Sequence, residues 1–401
     1  MSTATTTDWT DRMLELRIGP VAHGGHCVAR AGAGDDGTGG RVVFVRHALP
    51  GELVHAVVTD DPGGAFCRAD AVAVLEASPD RVAPSCPWAG PGGCGGCDFQ
   101  HAGHDAQRAL KTTVLREQLA RLGADAVTAA GTDLLAVEVE ELPGGPLGWR
   151  TRVRLAVDDA GVPGLRAHRS HDVCEIGDCP LVPAGALPPV LRQRFRPDSE
   201  VDVTVGDDGA ARVGSGATVQ AAGRTWELSA GTFWQVHPAL PDTLAGVVRD
   251  WADAPAGGVA WDLYGGVGLL GSVLAGQVGE SGTVLVVESA PSAVADGASA
   301  LADLPQVQFV RGRAEREIAR LGPDPDVVVT DPPRAGLGKA AVRDLAARAP
   351  RRIVHVACDP AALARDLTLF AAAGYRASAL RAFDAFPMTH HLEAAVLLER
   401  R

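Results

Sequence analysis

The sequence predicts an α/β protein with a doubly wound parallel sheet in its C-terminal half, preceded by a small β-barrel and a β-rich middle region. From residue 228 onward, short apolar runs such as VAWDL and VLVVE alternate with helical stretches, which is typical of a parallel sheet covered on both faces. Residues 13–77 alternate apolar and polar positions over short runs between glycine-rich turns, which predicts the barrel. Residues 135–225 contain further runs of this kind, including VRLAV and DVTV, and predict the middle region.

The composition is that of a globular protein with several domains. Its 401 residues exceed the usual size of one domain, so two or three are expected. Hydrophobic residues make up 46% and charged residues 21%, and no apolar run is long enough to predict a membrane span. The N-terminus lacks the pattern of a signal peptide, so we expect a cytoplasmic location. A net charge of −12 excludes a basic surface throughout but not a local basic groove.

The strands expected at 13–77 suit a small barrel of the oligonucleotide-binding kind. A loop-like, cysteine-rich stretch follows, and HDAQRALKTTVLREQLARLG then predicts an amphipathic helix at 104–122. Two helices are expected near ALPPVLRQRFR. The chain has eight cysteines, and their clustering in a protein of this size indicates metal binding or catalysis more than disulfides.

The stretch DLYGGVGLLG, at 262–271, predicts a cofactor site between a strand and a helix. Its glycine turn lets backbone approach a ligand closely, and Glu288 ends the next strand, where an acid can bind a ribose diol. These features fit NAD and S-adenosylmethionine about equally. The later stretch VVVTDPPRAGL favours S-adenosylmethionine, because its Asp-Pro-Pro resembles a motif of class I methyltransferases. Arg334 follows the prolines where amino-group methyltransferases carry an aromatic residue, which disfavours an exocyclic amine as methyl acceptor.

The stretch HVACDPAALARD, at 355–366, places a cysteine where a strand meets a helix. Asp359 is a favourable N-cap and Pro360 a favourable first helical residue. The amides and dipole of that helix start favour a thiolate at Cys358, whereas Asp359 opposes it unless engaged in capping. A position at the ligand-binding edge of the sheet favours a nucleophile over the alternative, a buried and inert cysteine.

The final stretch, FDAFPMTHHLEAAVLLER, offers proton acceptors for such a thiol. Glu393 opens an apolar last strand and is the preferred base, with His390 and His391 as competitors. The alternative for Glu393 is a solvated acid at a strand end.

Five stretches together resemble the bacterial RNA uracil-C5 methyltransferase family, and the resemblance covers nearly the whole chain. They are, in order, GTFWQVH, DLYGGVGLLG, DPPRAGL, HVACDPAALARD and FPMTHHLE. The resemblance implies that Cys358 adds to carbon 6 of uracil, so that carbon 5 attacks the sulfonium methyl group, and that Glu393 then removes the carbon 5 proton. It also implies contacts to S-adenosylmethionine from Gln235, Tyr264, Glu288 and Asp331.

The resemblance also implies how the chain is divided. Residues 10–77 look like a TRAM domain, an RNA-binding barrel of OB-like type. Residues 78–99 and 126–227 look like the family's central domain, and residues 100–125 with 228–401 look like its class I (Rossmann-like) methyltransferase domain. The family's usual adenine-facing acid is missing after the third strand, and neither Arg313 nor Glu315 is predicted as a ligand in its place.

Four cysteines look like the cluster ligands of the family's ribosomal-RNA members, which implies a [4Fe–4S] cluster. They are Cys86, Cys94, Cys97 and Cys179. Spacing alone leaves zinc as an equal alternative, and Cys174 as an alternative to Cys179, which is preferred for its Cys-Pro context. The first gap, PWAGPGG, has seven residues and is longer than the family's usual five.

RNA is the expected partner, and ribosomal RNA is preferred because transfer-RNA members lack the cluster and the barrel. Arg150, Arg152 and Arg154 would share one face of a strand, either as a phosphate-binding stripe or as a solvated face. Trp234 is expected in the core more than as a stacking wall for a flipped uridine. We expect a monomer with no obligatory protein partner.

Two other functions stay open at this point. One is a non-catalytic RNA-binding protein with a retired methyltransferase domain, which the intact Cys358 and Glu393 disfavour. The other is amino-group methylation, which Arg334 disfavours and which leaves Cys358 without a role.

Overall fold

The computed structural model describes residues 8–32 and 40–401. Residues 1–7, at the start of the segment judged for a signal peptide, and 33–39, within the expected barrel, lie outside the described residues. In the described ranges, no helix combines the length and the apolar character that a membrane crossing requires.

The N-terminal region forms the expected barrel. Its strands are β1 Met13–Arg17, β2 Val21–Ala22, β3 His26–Ala31, β4 Arg41–Arg46, β5 Leu53–Asp60 and β6 Phe66–Glu76, in the sheet order β1-β5-β6-β4-β3-β2. The edge strands β1 and β2 follow each other in the chain, and the residues between them close the sheet. The Ile18 amide donates to the Glu52 carbonyl, and the Gly19 amide to the Val28 carbonyl. Alternate positions, such as Val43, are fully buried inside.

The segment after the barrel contains α1 His104–Leu122, α2 Ala124–Ala129, a 3-10 turn at Leu134–Ala136 and β7 Val139–Glu140. The helix has the predicted bounds, but its buried face is less apolar than the pattern indicates. The buried residues of α1 are Gln107, Lys111, Thr112, Val114, Leu115, Gln118 and Leu119. Burial of polar side chains on α1 is possible because hydrogen bonds and an ion pair, described below, connect this helix to other parts of the chain.

The middle region forms a five-stranded antiparallel sheet in the order β10-β9-β8-β11-β12. Its elements are β8 Arg152–Val157, β9 Pro163–Arg166, β10 Val173–Cys174, α3 Pro188–Leu191, β11 Glu200–Val205 and β12 Ala211–Val213. One short helix, α3, stands where the sequence predicts two.

The C-terminal region forms an eight-stranded sheet in the order β17-β16-β15-β18-β19-β21-β20-β7. It is preceded by the hairpin β13 Ala217–Ala221 and β14 Arg224–Leu228. The remaining elements are α4 Leu240–Ala252, β15 Val259–Leu263, α5 Leu269–Val278, β16 Thr283–Glu288, α6 Pro291–Ala300, β17 Val307–Arg311, α7 Ala314–Glu317, β18 Val327–Thr330, α8 Gly338–Ala347, β19 Arg352–Ala357, α9 Pro360–Ala372, β20 Tyr375–Phe383 and β21 Glu393–Arg400. Strands β15 to β19 run parallel, as predicted, and β21 is antiparallel to both of its neighbours.

Both faces of this sheet are covered, which makes it a doubly wound α/β sheet of Rossmann-like type. One buried cluster unites the sheet with α4 and α5, and a second unites it with α1, α8 and α9. From β15, the chain builds towards β17 in one direction and towards β19 in the other. Ligands bind at such a reversal point, and here it lies at the carboxyl ends of β15 and β18.

Two segments assigned above to the central domain pack on the C-terminal sheet instead. Strand β7 pairs in parallel with β20, and Leu134 and Val139 belong to the cluster on that face. The β13–β14 hairpin buries Trp226 in the cluster on the other face and is tied to α6, where Asp296 accepts a hydrogen bond from the Ser229 amide. The sequence does not indicate this, because a two-residue strand and an isolated hairpin carry no signal of which sheet they join.

Candidate active site

The carboxyl ends of β15 and β18 bring predicted cofactor residues together. The Asp331 amide donates to the Leu263 carbonyl over 3.2 Å, and Gln235 Nε2 donates to Asp331 Oδ2 over 3.4 Å. Gln235, Tyr264 and Asp331 line one small cavity of about 40 Å³. Three of the four residues proposed to contact the cofactor therefore meet at one point.

The turn after β15 is built so that backbone forms the cavity wall. Tyr264 has a φ of 62° and Gly268 a φ of 83°, which folds the chain sharply into α5. A Cβ on Gly265 would lie 2.8 Å from Asp262 Oδ2, so a larger residue does not fit there. The Asp262 carboxylate in turn accepts a hydrogen bond from the Gly271 amide over 2.7 Å and fixes the start of α5.

The fourth predicted residue, Glu288, lines a larger neighbouring cavity of about 570 Å³ together with Tyr264, Arg313 and Glu315. Its carboxylate accepts hydrogen bonds from the Gly266 amide over 3.1 Å and from the amides of the two residues that follow it. Tyr264 lines both cavities, so the two spaces adjoin at its side chain. Arg313 and Glu315 line this cavity after the third strand, where the sequence lacks the family's usual adenine-facing acid.

Three buried carboxyl groups lie near this cofactor space. Burial raises the pKa of Asp262 to about 7 and that of Asp331 to about 6, against the opposing hydrogen bonds from Gly271 and Gln235. Burial and the nearby Asp331 raise the pKa of Glu393 as well, and its Oε1 atom has no hydrogen-bond partner among the described residues. Buried acids without a counter-charge are costly, and such groups concentrate at functional sites.

The strand register places Cys358 beside Glu393. Strands β19 and β21 are antiparallel, and Ala357 pairs with Ala394, so the next pair in the register is Cys358 with Glu393. Glu393 and Asp331 are the two charges that most raise the pKa of the Cys358 thiol after burial itself. The structure thus brings the predicted nucleophile and the predicted base together at the edge that holds the cofactor cavity.

The helix start at Cys358 is formed as the sequence predicts, but its thiol is not acidic. Asp359 accepts a hydrogen bond from the Ala362 amide over 2.8 Å as the N-cap of α9. His23 of the barrel approaches the other oxygen of Asp359 to 3.0 Å. Burial, Glu393 and Asp331 raise the pKa of Cys358 to about 12, whereas Arg334 lowers it. The helix dipole therefore does not suffice to ionise this thiol.

Both competing histidines have partners of their own, and the partner of His391 is Arg334, which itself lies near Cys358. His390 Nδ1 lies 2.6 Å from Asp98 Oδ2, and the His390 amide donates to the same oxygen over 3.1 Å. His391 Nε2 lies 3.2 Å from an Arg334 nitrogen, and burial lowers the pKa of His391 to about 3. Glu393 is thus the better-placed base.

Two supports of the site carried no signal that the sequence analysis recognised. Asp366, on α9, accepts hydrogen bonds from the amides of Leu337 (2.7 Å) and Gly338 (3.0 Å), and so holds the loop DPPRAGL. A Cβ on Gly336 would lie 2.5 Å from Asp366 Oδ2, so the loop needs a glycine there. The separation in sequence between the loop DPPRAGL and Asp366, the last acid of HVACDPAALARD, is the feature that would have indicated this contact.

The second support is a buried ion pair. Lys111 of α1 donates to Asp384 Oδ1 over 2.5 Å and to the Phe386 carbonyl over 3.0 Å. Both ends are buried, with 0% of the Lys111 side chain and 7% of the Asp384 side chain exposed. This pair fixes the loop at 384–392 that leads into Glu393.

A separate cavity, of about 20 Å³, is lined by four thiols and is called here the cysteine cavity. Its cysteines are Cys86, Cys94, Cys97 and Cys179. Burial raises the pKa of Cys94 to about 11 and that of Cys97 to about 12, and the neighbouring thiols add to both shifts. Cys174 does not line the cavity and points its thiol at the Glu175 carbonyl, 3.9 Å away. In the described part of the chain, no group of three or more His, Cys, Asp or Glu side chains is arranged to hold a metal ion.

The arginines of β8 have partners within the chain. Arg154 pairs with Asp202 over 2.7 Å and with Glu200 over 3.8 Å, and Arg152 is half-buried and donates to the Thr232 carbonyl. The acids come from the neighbouring strand β11. The exposed pair at Arg154 fits the solvated-face alternative, and phosphate binding by the stripe stays a prediction. Trp234 is buried in the core, as expected, against Trp226 at a ring distance of 5.8 Å.

The chain is similar in sequence to known RNA methyltransferases. A family model described as tRNA (Uracil-5-)-methyltransferase matches residues 317–401. An uncharacterized RNA methyltransferase from Streptomyces avermitilis is 44% identical over 96% of this chain and 98% of its own. A 23S rRNA (uracil(1939)-C(5))-methyltransferase, RlmD, from Shewanella amazonensis is 30% identical over 92% of this chain and 93% of its own.

The fold has a counterpart among solved structures. The crystal structure of a Pyrococcus abyssi tRNA (uracil-54, C5)-methyltransferase in complex with S-adenosyl-L-homocysteine superposes with a TM-score of 0.66 at 21% identity. It covers 93% of this chain and 99% of its own. At this identity the likeness establishes the fold.

Proposed function

The chain belongs to the RNA uracil-C5 methyltransferase family, and we propose that it transfers a methyl group from S-adenosylmethionine to carbon 5 of a uridine in RNA. The observation that carries this proposal is the register between β19 and β21, which sets Cys358 beside Glu393, with Asp331 of the small cofactor cavity close enough to raise the pKa of both. Amino-group methylation has no use for a thiol and a buried base in this place, and a protein that has lost catalysis has no reason to keep a buried, unpaired carboxyl group at Glu393 beside a half-buried thiol at Cys358.

Each reacting group of the chain has one task in this mechanism. The Cys358 sulfur bonds to carbon 6 of the uracil ring, which turns carbon 5 into an enolate-like nucleophile. S-adenosylmethionine supplies the electrophilic methyl group that carbon 5 takes up. Glu393 then removes the proton from carbon 5, the electron pair re-forms the ring double bond, and Cys358 leaves as a thiolate.

The buried acids fit this sequence of steps. Because the pKa of Glu393 is raised, its carboxylate is a stronger base than an exposed glutamate. Because the pKa of Cys358 is about 12, the thiol is protonated in the ligand-free protein at neutral pH. We infer that the positive sulfonium of the cofactor and the nearby Arg334 favour ionisation once both substrates are bound.

The cofactor contacts follow from the two cavities. We infer that Glu288 binds the ribose hydroxyl groups, that the Tyr264 side chain lies against the nucleoside, and that Gln235 and Asp331 lie near the methionine end. The buried Asp331 would gain a counter-charge from the sulfonium. Arg313 and Glu315 line the adenine end of the larger cavity in this arrangement.

A mechanism-based substrate tests the adduct. RNA that contains 5-fluorouridine cannot lose a proton from carbon 5 after methyl transfer, so a covalent protein–RNA complex accumulates with S-adenosylmethionine. We expect the complex with the wild-type protein and none with Cys358→Ala. Cys174→Ala is the matched control, because it removes a thiol outside the site and retains the complex. A complex that survives Cys358→Ala contradicts the nucleophile assignment.

Ribosomal RNA is the substrate that we propose, supported by the 23S rRNA relative and by the cysteine cavity. The test compares unmodified transcripts of 23S rRNA and of transfer RNA, with tritiated S-adenosylmethionine as methyl donor. We expect label in the ribosomal transcript and expect digestion to yield 5-methyluridine. Label confined to transfer RNA contradicts the ribosomal assignment but leaves the chemistry intact.

We also propose that the cysteine cavity holds a [4Fe–4S] cluster. Four thiols around one buried cavity suit the cluster, whose iron supplies the positive charge that these buried thiols need in order to ionise. Iron, sulfide and zinc are measured after anaerobic purification, together with the visible absorption spectrum. We expect iron and sulfide, lost in Cys179→Ser and retained in Cys174→Ser. Zinc in place of iron, or loss in Cys174→Ser alone, contradicts this assignment.

The remaining expectations from the sequence stay predictions. These are an RNA-binding role for the barrel, a cytoplasmic location and a monomeric state.

A further inference from the structure

A cleft of about 540 Å³ separates the barrel from the middle region, and the proposed chemistry does not use it. Its barrel wall comprises His26 on β3, residues Phe44 and Arg46 on β4, and residues 68–70 on β6. The opposite wall comprises residues 90–93 and 167–169.

Aromatic side chains form a row along the barrel wall. The centroids of the His26 and Phe44 rings lie 4.7 Å apart, and those of Phe44 and Phe66 lie 5.5 Å apart. Val43 and Val45 point into the barrel and are fully buried. Because successive side chains of a strand point to opposite faces, Phe44 and Arg46 point outward. An outward aromatic row on a small barrel is the kind of surface on which nucleic-acid bases stack.

Two arginines in this cleft have unused hydrogen-bonding capacity. Nε and one terminal nitrogen of Arg46 are buried and make no hydrogen bond within the described residues, and its ion contact with Asp98 is long, at 3.7 Å. Arg169 is exposed and forms no ion pair within that same part of the chain. Arg68, in contrast, is paired with Asp60 over 2.6 Å. A polyanion can therefore engage Arg46 and Arg169 without first breaking a close salt bridge.

The other polar groups of the cleft are suited to base edges. Burial lowers the pKa of both His26 and His168 to about 4, so both rings are neutral at pH 7 and offer one donor and one acceptor each. Burial raises the pKa of Asp70, while Arg46 opposes that shift. The chain as a whole has a net charge of −12, so these arginines are a local exception in an acidic molecule.

The cleft adjoins the proposed active site. Gly24 lines the cleft, and its neighbour His23 reaches Asp359, the residue after Cys358, over 3.0 Å. On the other side, Arg46 contacts Asp98, which binds His390 in the loop leading to Glu393. These contacts connect the cleft to the residue that follows Cys358 and to the loop that precedes Glu393.

We propose that the cleft binds a nucleotide that flanks the target uridine in the same RNA strand. Its base stacks on Phe44, its phosphate engages Arg46 and Arg169, and the neutral His26 and His168 contact its base edge. The inference rests on the proposed function, because it needs the uridine at Cys358. It adds a second recognition site, which selects the uridine by its neighbour as well as by its own ring.

Exposed and half-buried positions of the cleft provide the test. Arg169→Glu reverses an unpaired charge, and Phe44→Leu removes the ring but keeps an apolar side chain. Arg196→Glu is the matched control, because Arg196 is an exposed arginine of the same region that does not line the cleft. The probe is an unmodified 23S rRNA transcript, with KM and kcat measured for each protein by methyl transfer. Thermal melting verifies that each variant is folded.

We expect Arg169→Glu and Phe44→Leu each to raise KM for RNA about tenfold, with a smaller effect on kcat, and Arg196→Glu to resemble the wild type. Arg169→Glu should also reduce the dependence of binding on salt concentration. Equal KM values for Arg169→Glu and Arg196→Glu, with the wild type active, overturn the cleft proposal. A wild type that methylates neither this transcript nor transfer RNA instead overturns the proposed function, so the two failures are distinct. If the wild type methylates only transfer RNA, the same comparison of variants is made on that transcript.

A second measurement identifies the nucleotide. After the methylated uridine is mapped, oligonucleotides with one abasic position each are compared on wild type and Phe44→Leu. We expect one flanking abasic position to cost the wild type about tenfold in KM and to add little to the cost of Phe44→Leu, because both changes remove the same stack. Fully additive costs at every position contradict stacking on Phe44.

Discussion

The proposed active site and the cysteine cavity both contain ionisable groups whose pKa is raised by burial, but they differ in the space beside those groups. Asp331 lines a cofactor cavity of about 40 Å³, which adjoins one of about 570 Å³ at Tyr264, whereas the thiols line a cavity of about 20 Å³. Substrates of nucleotide size can enter and leave the first site. The cysteine cavity has space only for a small group that stays bound. Under the proposals above, the cost of ionising these buried groups is offset by a substrate at the first site and by a resident cluster at the second.

The buried Lys111 shows how the protein accommodates a buried charge that has a structural role. Lys111 meets Asp384 at 2.5 Å, with both side chains buried. Here the counter-charge is built into the fold, and no cavity adjoins the pair among those described above. Buried charges that have a partner therefore hold elements of the fold together, whereas buried ionisable groups without a partner lie where a ligand is expected to bind.

The two sites are also mechanically joined. The amides of Asp98 and Phe99, directly after Cys97, donate to the Met388 carbonyl over 2.8 and 2.9 Å. Asp98 also binds His390 through its carboxylate. The cysteine-rich segment therefore holds the loop that delivers Glu393, and a change at one site can reach the other.

We expect the largest effect from Glu393→Gln, in the proposed active site. It keeps the shape but removes the base, so we expect kcat to fall about 10³-fold. The methylated adduct should then accumulate even with ordinary uridine RNA, because carbon 5 keeps its proton. Glu399→Gln is the control, since Glu399 lies on the same strand and pairs with Arg352 at 3.2 Å. A fall in kcat without any adduct contradicts proton abstraction by Glu393.

Lys111→Met tests the paired charge. It leaves Asp384 buried without its partner, so we expect the free energy of unfolding to fall by about 3–5 kcal/mol, measured by urea denaturation. Lys111→Met with Asp384→Asn should recover part of that loss. Glu393→Gln should not destabilise the ligand-free protein, because it removes an unpaired buried acid. If both single changes destabilise equally, the distinction between paired and unpaired charges is wrong.

The pH dependence of cofactor binding tests the unpaired Asp331. Its pKa is about 6 in the ligand-free protein, and a nearby sulfonium stabilises the carboxylate and lowers that pKa. Affinity for S-adenosylmethionine should therefore increase about tenfold from pH 5 to pH 7 and then level off. S-adenosylhomocysteine, whose sulfur is uncharged, should show a weaker dependence, as measured by calorimetry. Equal pH profiles for the two ligands contradict a charge contact at Asp331.

The sequence predicts the reacting residues better than their supports, for a physical reason. Cys358 follows a parallel strand, so the local pattern places it at the ligand-binding edge of the sheet. Glu393 begins the last strand and lies at the same edge because β21 is antiparallel to β19, a direction that the local pattern did not predict. Lys111 and Asp384 are 273 positions apart, and nothing local indicates that they pair. The same limit applies to Arg154, because the register that pairs it with Asp202 of β11 cannot be read from local sequence.

Asp98→Asn gives the smallest expected effect and tests the link between the two sites. The amide keeps a hydrogen-bond acceptor for the His390 amide but loses the charge that binds the His390 ring and Arg46. We expect kcat to fall about fivefold, the loss of roughly one charge-assisted hydrogen bond. The affinity for S-adenosylmethionine and the metal content should not change, because Asp98 lines neither the cofactor cavities nor the cysteine cavity. A loss of metal with unchanged kcat would instead mean that the segment serves the cysteines alone, and that the two sites act independently.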